Sequence, residues 1–192
     1  MAKATDDLLR DTLHRAFEAV RALSATLTEG LSAEDQQLQS MPDASPIKWH
    51  LAHTSWFFEA LVLRPHAVGY QPFDERYFYL FNSYYEALGP RHPRPQRGLL
   101  SRPSIDEVWR YRRHVDAAVQ VFLRDAGAEA WVAAAPMLRL GLHHEQQHQE
   151  LMLTDLKHAF SMNPLLPAWR PAGSNRASVA SALRWQGHDG GV

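Results

Sequence analysis

The chain contains four segments in which apolar residues recur at spacings of three and four, the period of an amphipathic α-helix. No segment clearly alternates apolar and polar residues, as a half-buried strand would. The pattern predicts an all-α four-helix bundle. The four predicted helices span approximately residues 5–29, 45–64, 104–125 and 136–160.

The connection between the second and third helices, from Pro65 to Pro103, is rich in proline, glycine and aromatic residues. A loop of this length inside a compact domain usually serves a function, and its aromatic residues predict that much of it packs against the bundle. We therefore predict a long crossover between helices two and three. Residues 1–165 are predicted to form one bundle, and residues 166–192 a loop-like tail.

The composition narrows the classes of partner. A net charge of −1 over 192 residues offers no basic surface for nucleic acid or an anionic membrane. No apolar run is long enough to span a bilayer, and the N-terminus lacks the pattern of a signal peptide. Because the chain has no cysteine, disulfides, thiolate metal sites and a cysteine nucleophile are excluded. We expect a cytoplasmic protein that binds neither nucleic acid nor membrane.

Histidines in two of the predicted helices form a candidate metal site. His144 and His148 are four residues apart, so both imidazoles project from one face of the fourth helix. His53 lies on the second helix between Trp49 and Trp56, on the face that these residues share. Metal sites in bundles are built from side chains on facing helices. We predict that His53, His144 and His148 hold one ion and leave coordination positions open for water, substrate or dioxygen.

Other histidines compete for these roles. His50 lies three residues before His53 and reaches the same face. His143 is turned about 100° around the helix from His144, so we expect it at the surface. His158 lies ten residues beyond His148 and well along the helix axis. A histidine pair of this spacing can also face water or bond a carbonyl without binding any metal.

Residues 144–148 also spell His-Glu-x-x-His, the signature of zinc proteases in which the glutamate is the general base. One protease class adds a glycine and a histidine downstream, but Leu151 and Thr154 occupy those positions. Another class takes its third ligand from a later glutamate, and none follows Glu150. We therefore do not expect a protease, and Glu145 is not expected to be a catalytic base.

Six motifs occur together in this chain. They are His144-x-x-x-His148-x-Glu150, Trp49-His50-Leu51-Ala52-His53-Thr54, Phe81-Asn82-Ser83-Tyr84-Tyr85-Glu86, the run from Arg91 to Pro103, Tyr111-Arg112-Arg113-His114-Val115-Asp116, and Phe160-Ser161-Met162-Asn163-Pro164. Together they resemble the DinB-like N-terminal domain of the iron(II)-dependent sulfoxide synthases of ergothioneine biosynthesis, the hercynine oxygenases. The resemblance covers about residues 8–170.

The resemblance implies a DinB-like bundle with a non-haem iron(II) ion on His53, His144 and His148. Imidazole ligands also suit zinc and nickel. The family joins the sulfur of a cysteine-containing thiol to the imidazole of hercynine, using dioxygen. Gln147 matches the position that contacts the substrate imidazole through water, and Arg97 matches an arginine that binds the thiol's carboxylate. Glu150 matches an acid that supports the ligands without binding the ion.

The family's enzymes also have a larger C-terminal domain, similar to formylglycine-generating enzymes, which supplies the catalytic tyrosine. We therefore expect no catalytic residue within this chain, and we expect residues 166–192 to resemble the linker to such a domain. A partner chain could provide it. Two other functions stay open: a stand-alone DinB-like, metal-dependent thiol S-transferase, and a non-catalytic bundle that serves for dimerisation.

Overall fold

The computed structural model describes residues 2–83, 89–170 and 182–190, and these residues form helices without strands. The predicted all-α class is therefore confirmed. No helix in this part of the chain combines the length and apolar character needed to cross a membrane. The long helices are α1 (Ala2–Thr26), α2 (Ile47–Phe58), α4 (Ile105–Asp125) and α5 (Ala128–Ser161), with a short α3 (Tyr77–Leu80) and 3-10 turns at Asp35–Gln37 and Arg94–Leu99.

Helix α2 is the centre of the bundle. All twelve of its residues are buried, because it packs against α4 and α5 while the crossover covers its remaining side. A helix that is buried all round normally carries apolar residues on every face. This helix instead includes Lys48, His50, His53, Thr54 and Ser55. The centre of the domain is thus partly polar, and its polar groups require partners from the surrounding helices.

The end of helix two was predicted wrongly. Instead of stopping before Pro65, the helix continues as a π-helical segment, Glu59–Leu63, and a final α-helical turn, Arg64–His66. Proline lacks an N–H and its ring crowds the preceding turn of a regular α-helix. The wider π-helical turn next to it relieves that crowding, which lets the helix pass the proline.

The start of helix four was also predicted wrongly. Helix α5 begins at Ala128, eight residues before Pro136, which lies inside the helix. The residues before the proline are mainly alanine, the best helix former, and Trp131 and Ala134 are buried against the core. Propensity and burial together outweigh the lost hydrogen bond at Pro136.

The first helix ends at Thr26 rather than residue 29, and its buried stripe differs from the predicted one. Leu9 and Leu23 are exposed, whereas Phe17 is buried. The start of helix three agrees with the sequence, since Ser104 and Glu107 form the predicted capping box at the N-terminus of α4.

The crossover between α2 and α4 is long, as predicted, and it packs down through Tyr77 and Phe81, which are both buried. Tyr84, Tyr85 and Glu86 lie outside the described residues. After α5, Trp169 donates from its indole nitrogen to the carbonyl oxygen of Leu27 at 3.0 Å. This contact ties the beginning of the predicted tail to the end of α1. The division of the chain at residue 165 stays a prediction.

Candidate metal centre

Helices α2 and α5 bring the three predicted metal ligands together. Each of His53, His144 and His148 offers one ring nitrogen, and these three nitrogens lie within 4.8 Å of one another. The ring centroids are 4.9 Å apart for His53 and His144, 4.8 Å for His53 and His148, and 4.5 Å for His144 and His148. We call these three residues the histidine triad. Its spacing allows the three nitrogens to bind one ion.

The two helices approach closely beside the triad because of Gly141, one turn before His144 on α5. A Cβ atom at this position would lie 2.5 Å from the ring of Phe58 on α2 and 3.0 Å from the ring of Phe57. Both rings are fully buried, so they have little room to move. Only glycine fits this approach, and the approach places the histidines of α5 within reach of His53.

The crossover holds His53 in one orientation. Its Nδ1 lies 2.6 Å from the carbonyl oxygen of Phe81, so Nδ1 carries the proton and donates it. Trp49 and Trp56 stack on His53, and their indole nitrogens donate to the neighbouring carbonyls of Leu80 and Phe78. Burial, and then the neighbouring His144, lower the pKa of His53 well below its ordinary value. The ring is therefore neutral, and its Nε2 lone pair faces the triad.

His148 is held by a chain of hydrogen bonds that leads away from the triad. Its Nδ1 lies 2.7 Å from Nδ1 of His50, and Nε2 of His50 lies 3.1 Å from a carboxylate oxygen of Asp155. Burial lowers the pKa of His148, as do the other three histidines around it. With Nδ1 occupied by His50, Nε2 is the nitrogen of His148 that is free for an ion.

His144 lacks such a fixed partner on its far side. Its Nε2 lies 3.2 Å from Nε2 of His53, while its Nδ1 is buried and has no hydrogen-bond partner among the described residues. Because a buried polar atom without a partner is costly, such an atom calls for an explanation. Burial lowers the pKa of His144 to about 4, so the ring is neutral near pH 7. The neutral ring can offer its Nε2, the nitrogen beside His53, to a metal ion, and this would leave the unpartnered Nδ1 on the opposite side of the ring.

Glu145 points away from the triad. Its two carboxylate oxygens accept hydrogen bonds from Arg112 at 2.8 Å, Arg21 at 2.9 Å and the hydroxyl of Ser24 at 2.6 Å. Burial alone would raise the pKa of Glu145, but the two arginines outweigh it and lower the pKa to about 2. We call Glu145, Arg21, Arg112 and the adjoining Asp116 the ion cluster. A carboxylate held in this way is not available as the base of a zinc protease.

The three other predicted site residues are not arranged alike. Arg97 is buried, lies 3.4 Å over the ring of Trp49, and donates to the hydroxyls of Ser45 and Ser83. Gln147 and Glu150 are both exposed on α5. No hydrogen bond joins either of these two side chains to the triad within the ranges that the structure covers. The roles that the resemblance assigns to Arg97, Gln147 and Glu150 stay predictions.

The rival histidines have separate positions. His143 is exposed, as predicted, and contacts Gln146. His158 bonds the hydroxyl of Ser40, away from the triad. His50 contacts Nδ1 of His148, and the group of converging ring nitrogens includes His53 rather than His50. Asp155 was missed as a site residue, although its spacing of seven from His148 places both on one face of α5.

Comparison with known families agrees with this architecture. A family model described as the DinB superfamily matches residues 16–152, a range that includes all three histidines of the triad and most of the bundle. Comparison with curated proteins gave no match. The matched range covers well over half of the sequence. The chain belongs to the DinB superfamily.

Proposed function

We propose that the chain binds a divalent metal ion on His53, His144 and His148. The observation that carries this proposal is the convergence of three neutral imidazoles, two of which have hydrogen-bonded Nδ1 atoms and inward-facing Nε2 atoms. Without an ion, the Nε2 of His53 contacts the Nε2 of His144 at 3.2 Å. DinB domains are typically metal-binding, which supports the same assignment.

We further propose that the ion is iron(II) and that the domain takes part in joining a thiol sulfur to the imidazole of hercynine. Three nitrogen ligands suit iron(II), and zinc and nickel as well. When bound, such an ion would supply open positions for a thiolate and dioxygen. The support for this reaction, and for a second domain that contributes the catalytic tyrosine, is the set of motifs shared with the hercynine oxygenases.

The chain's own residues would orient the ligands and limit water. Trp49 and Trp56 cover both faces of His53, which restricts rotation of its ring. Phe57 stacks on His144, with ring centroids 4.6 Å apart. Half-buried His144 leaves one side of the triad accessible. Arg97 is a buried cation over the ring of Trp49, and it lowers the pKa of His53 and His148 in addition to the larger effects of burial and of the neighbouring histidines, so we propose it as the group that attracts the substrate's carboxylate.

Anaerobic titration with iron(II) tests the metal site. His144→Ala should weaken iron binding by more than the roughly 10- to 100-fold typical of losing a residue that merely supports a ligand, because two imidazoles replace three. His143→Ala is the matched control, since it removes the neighbouring but exposed imidazole of the same helix. Equal affinity for iron(II) in wild type and His144→Ala would overturn the proposed site.

The reaction needs a separate assay. The protein loaded with iron(II) is incubated with hercynine, L-cysteine and dioxygen, with and without a formylglycine-generating-enzyme-like second domain, and the product is identified by mass spectrometry. A sulfoxide adduct of the two substrates supports the proposal. Transfer of the thiol to an electrophile by the zinc-loaded protein, without oxidation, would instead favour a thiol S-transferase. A protein that binds no metal would favour a dimerisation bundle.

A further inference from the structure

We infer that Asp155 and His50 act together as a positioning relay, which fixes the proton of His148 on Nδ1 and so presents Nε2 to the metal. The inference rests on the proposed metal site and extends it to two residues outside the triad. Neither belongs to the group of converging ring nitrogens. Their role follows from the order of donors and acceptors along one chain of hydrogen bonds.

The relay begins at Asp155, whose carboxylate is held in place by a hydrogen bond to the backbone. One of its oxygens accepts the backbone N–H of Ser45 at 2.8 Å, just before α2 begins. The same oxygen lies 3.1 Å from Nε2 of His50. This carboxylate can only accept hydrogen bonds when ionised, so Nε2 of His50 must be the donor.

The proton assignment then passes to His148. His50 is buried, and its two ring nitrogens face different partners, Asp155 at Nε2 and His148 at Nδ1. A neutral imidazole carries one proton, and Asp155 draws that proton to Nε2. Nδ1 of His50 then has no proton and acts as the acceptor. The hydrogen bond across the 2.7 Å contact therefore requires that Nδ1 of His148 carries a proton and donates it.

The three ligands thus differ in how their protons are fixed. A backbone carbonyl fixes His53, the relay fixes His148, and His144 has an unpartnered Nδ1 within the described part of the molecule. Mutation of the residue that hydrogen-bonds the second nitrogen of a metal-binding histidine typically lowers metal affinity about 10- to 100-fold. We therefore expect the relay to contribute to the affinity of the site, and to set the tautomer of His148 even before metal binds.

The experiment measures the tautomer and the affinity separately. Imidazole nitrogen-15 NMR of the metal-free protein reports which nitrogen of His148 holds the proton, and competition with a chromophoric chelator gives the zinc affinity. In Asp155→Ala, His148 should change from one tautomer to a mixture, and zinc affinity should fall 10- to 100-fold. In Asp155→Asn, the remaining side-chain oxygen can still accept from His50, so zinc affinity should stay within about threefold of wild type.

Asp35→Ala is the matched control, because Asp35 also accepts a backbone N–H, that of Ser32, but lies outside the relay. An unchanged tautomer and zinc affinity in Asp155→Ala would overturn the inference, and so would equal losses in Asp35→Ala. If Asp155→Ala does not fold, His50→Phe decides the question by the same two measurements. Failure of the proposed metal site is distinguishable, since His148→Ala would then leave zinc affinity unchanged.

Discussion

Neighbouring residues on two successive turns of α5 belong to two different kinds of buried site. His144 and His148 face α2 and join the triad, whereas Glu145 and Gln149 face α1 and make hydrogen bonds to Ser24. Both sites are polar and largely buried. Each oxygen of Glu145 accepts at least one hydrogen bond, whereas in the triad the Nδ1 of His144 is buried without a partner in the described ranges.

The difference separates a group that stabilises the fold from one that we propose to bind an ion. Buried charges must be paired if the folded state is to tolerate them, and each charge of the ion cluster has an oppositely charged partner within the cluster. Neutral imidazoles cost less to bury than charges, so the fold can tolerate His144 with an unpartnered nitrogen in the described ranges. This stretch of helix thus supports the fold through one face, and we propose that it binds an ion through the other.

Removing Glu145 should have the largest effect on stability. Glu145→Ala leaves Arg21 and Arg112 buried without their shared carboxylate, which we expect to reduce the free energy of unfolding by about 3–5 kcal/mol. Urea denaturation of the metal-free protein measures this change. Gln146→Ala alters the exposed neighbour and should change stability by less than about 0.5 kcal/mol. Equal effects of the two substitutions would remove the contrast between the two faces.

Gly141→Ala should have the next largest effect, and it should affect both fold and site. The added methyl group meets the buried rings of Phe58 and Phe57, and such overpacking typically costs about 1–3 kcal/mol. Helix separation should also increase beside His144 and weaken zinc binding. Gly127→Ala, at a glycine with open space around it, is the control. A stability equal to wild type would show that α2 and α5 do not need this close approach.

Acidification should weaken the metal-free fold through the triad. Burial lowers the pKa of His144 to about 4, so between about pH 6.5 and pH 4 the unfolded state binds a proton that the folded state does not. Stability contributed by this difference is complete above about pH 6.5 and decreases as the pH falls, by at most about 1.4 kcal/mol per pH unit. Urea denaturation from pH 7 to pH 5 measures the slope. His144→Phe should reduce it, and an unchanged slope would contradict the assignment.

Glu150→Ala should have the smallest effect. Its carboxylate is exposed, and no hydrogen bond joins it to the triad in the portion of the chain described by the structure. We expect a change of less than about 0.5 kcal/mol in stability and less than about twofold in zinc affinity. Competition with a chromophoric chelator measures the zinc affinities of Glu150→Ala and Asp155→Ala in parallel. A tenfold loss of affinity in Glu150→Ala would return this acid to the supporting role that the resemblance implies.

Local sequence signals predicted much of the fold but misplaced two helix boundaries. The apolar spacing and the Ser104–Glu107 capping box correctly indicated helices. Pro65 and Pro136 do not mark boundaries, because a π-helical turn next to the first and an alanine-rich, partly buried segment before the second offset the cost of a proline within a helix. A proline alone does not show whether its surroundings in the folded chain offset this cost.

The candidate site shows the same limit. The spacing of four residues predicted that His144 and His148 share one face of their helix. The position of His53 between Trp49 and Trp56 predicted that it faces them from the second helix. Asp155 could have been noticed from its spacing to His148, but its link through His50 requires the relative positions of α2 and α5. The ion cluster was hidden for the same reason, since Arg21 and Glu145 are 124 residues apart.

The complete burial of α2 has a consequence for how this domain can diverge among its relatives. A helix with one solvent-facing side has positions where sequence can drift without penalty, but none of the residues from Ile47 to Phe58 lies on such a side. Each of the twelve is buried, so a substitution at any of them disturbs the packing at the centre of the bundle. Changes that leave the fold intact should therefore collect in the crossover and on the exposed side of α5, while α2 stays nearly constant.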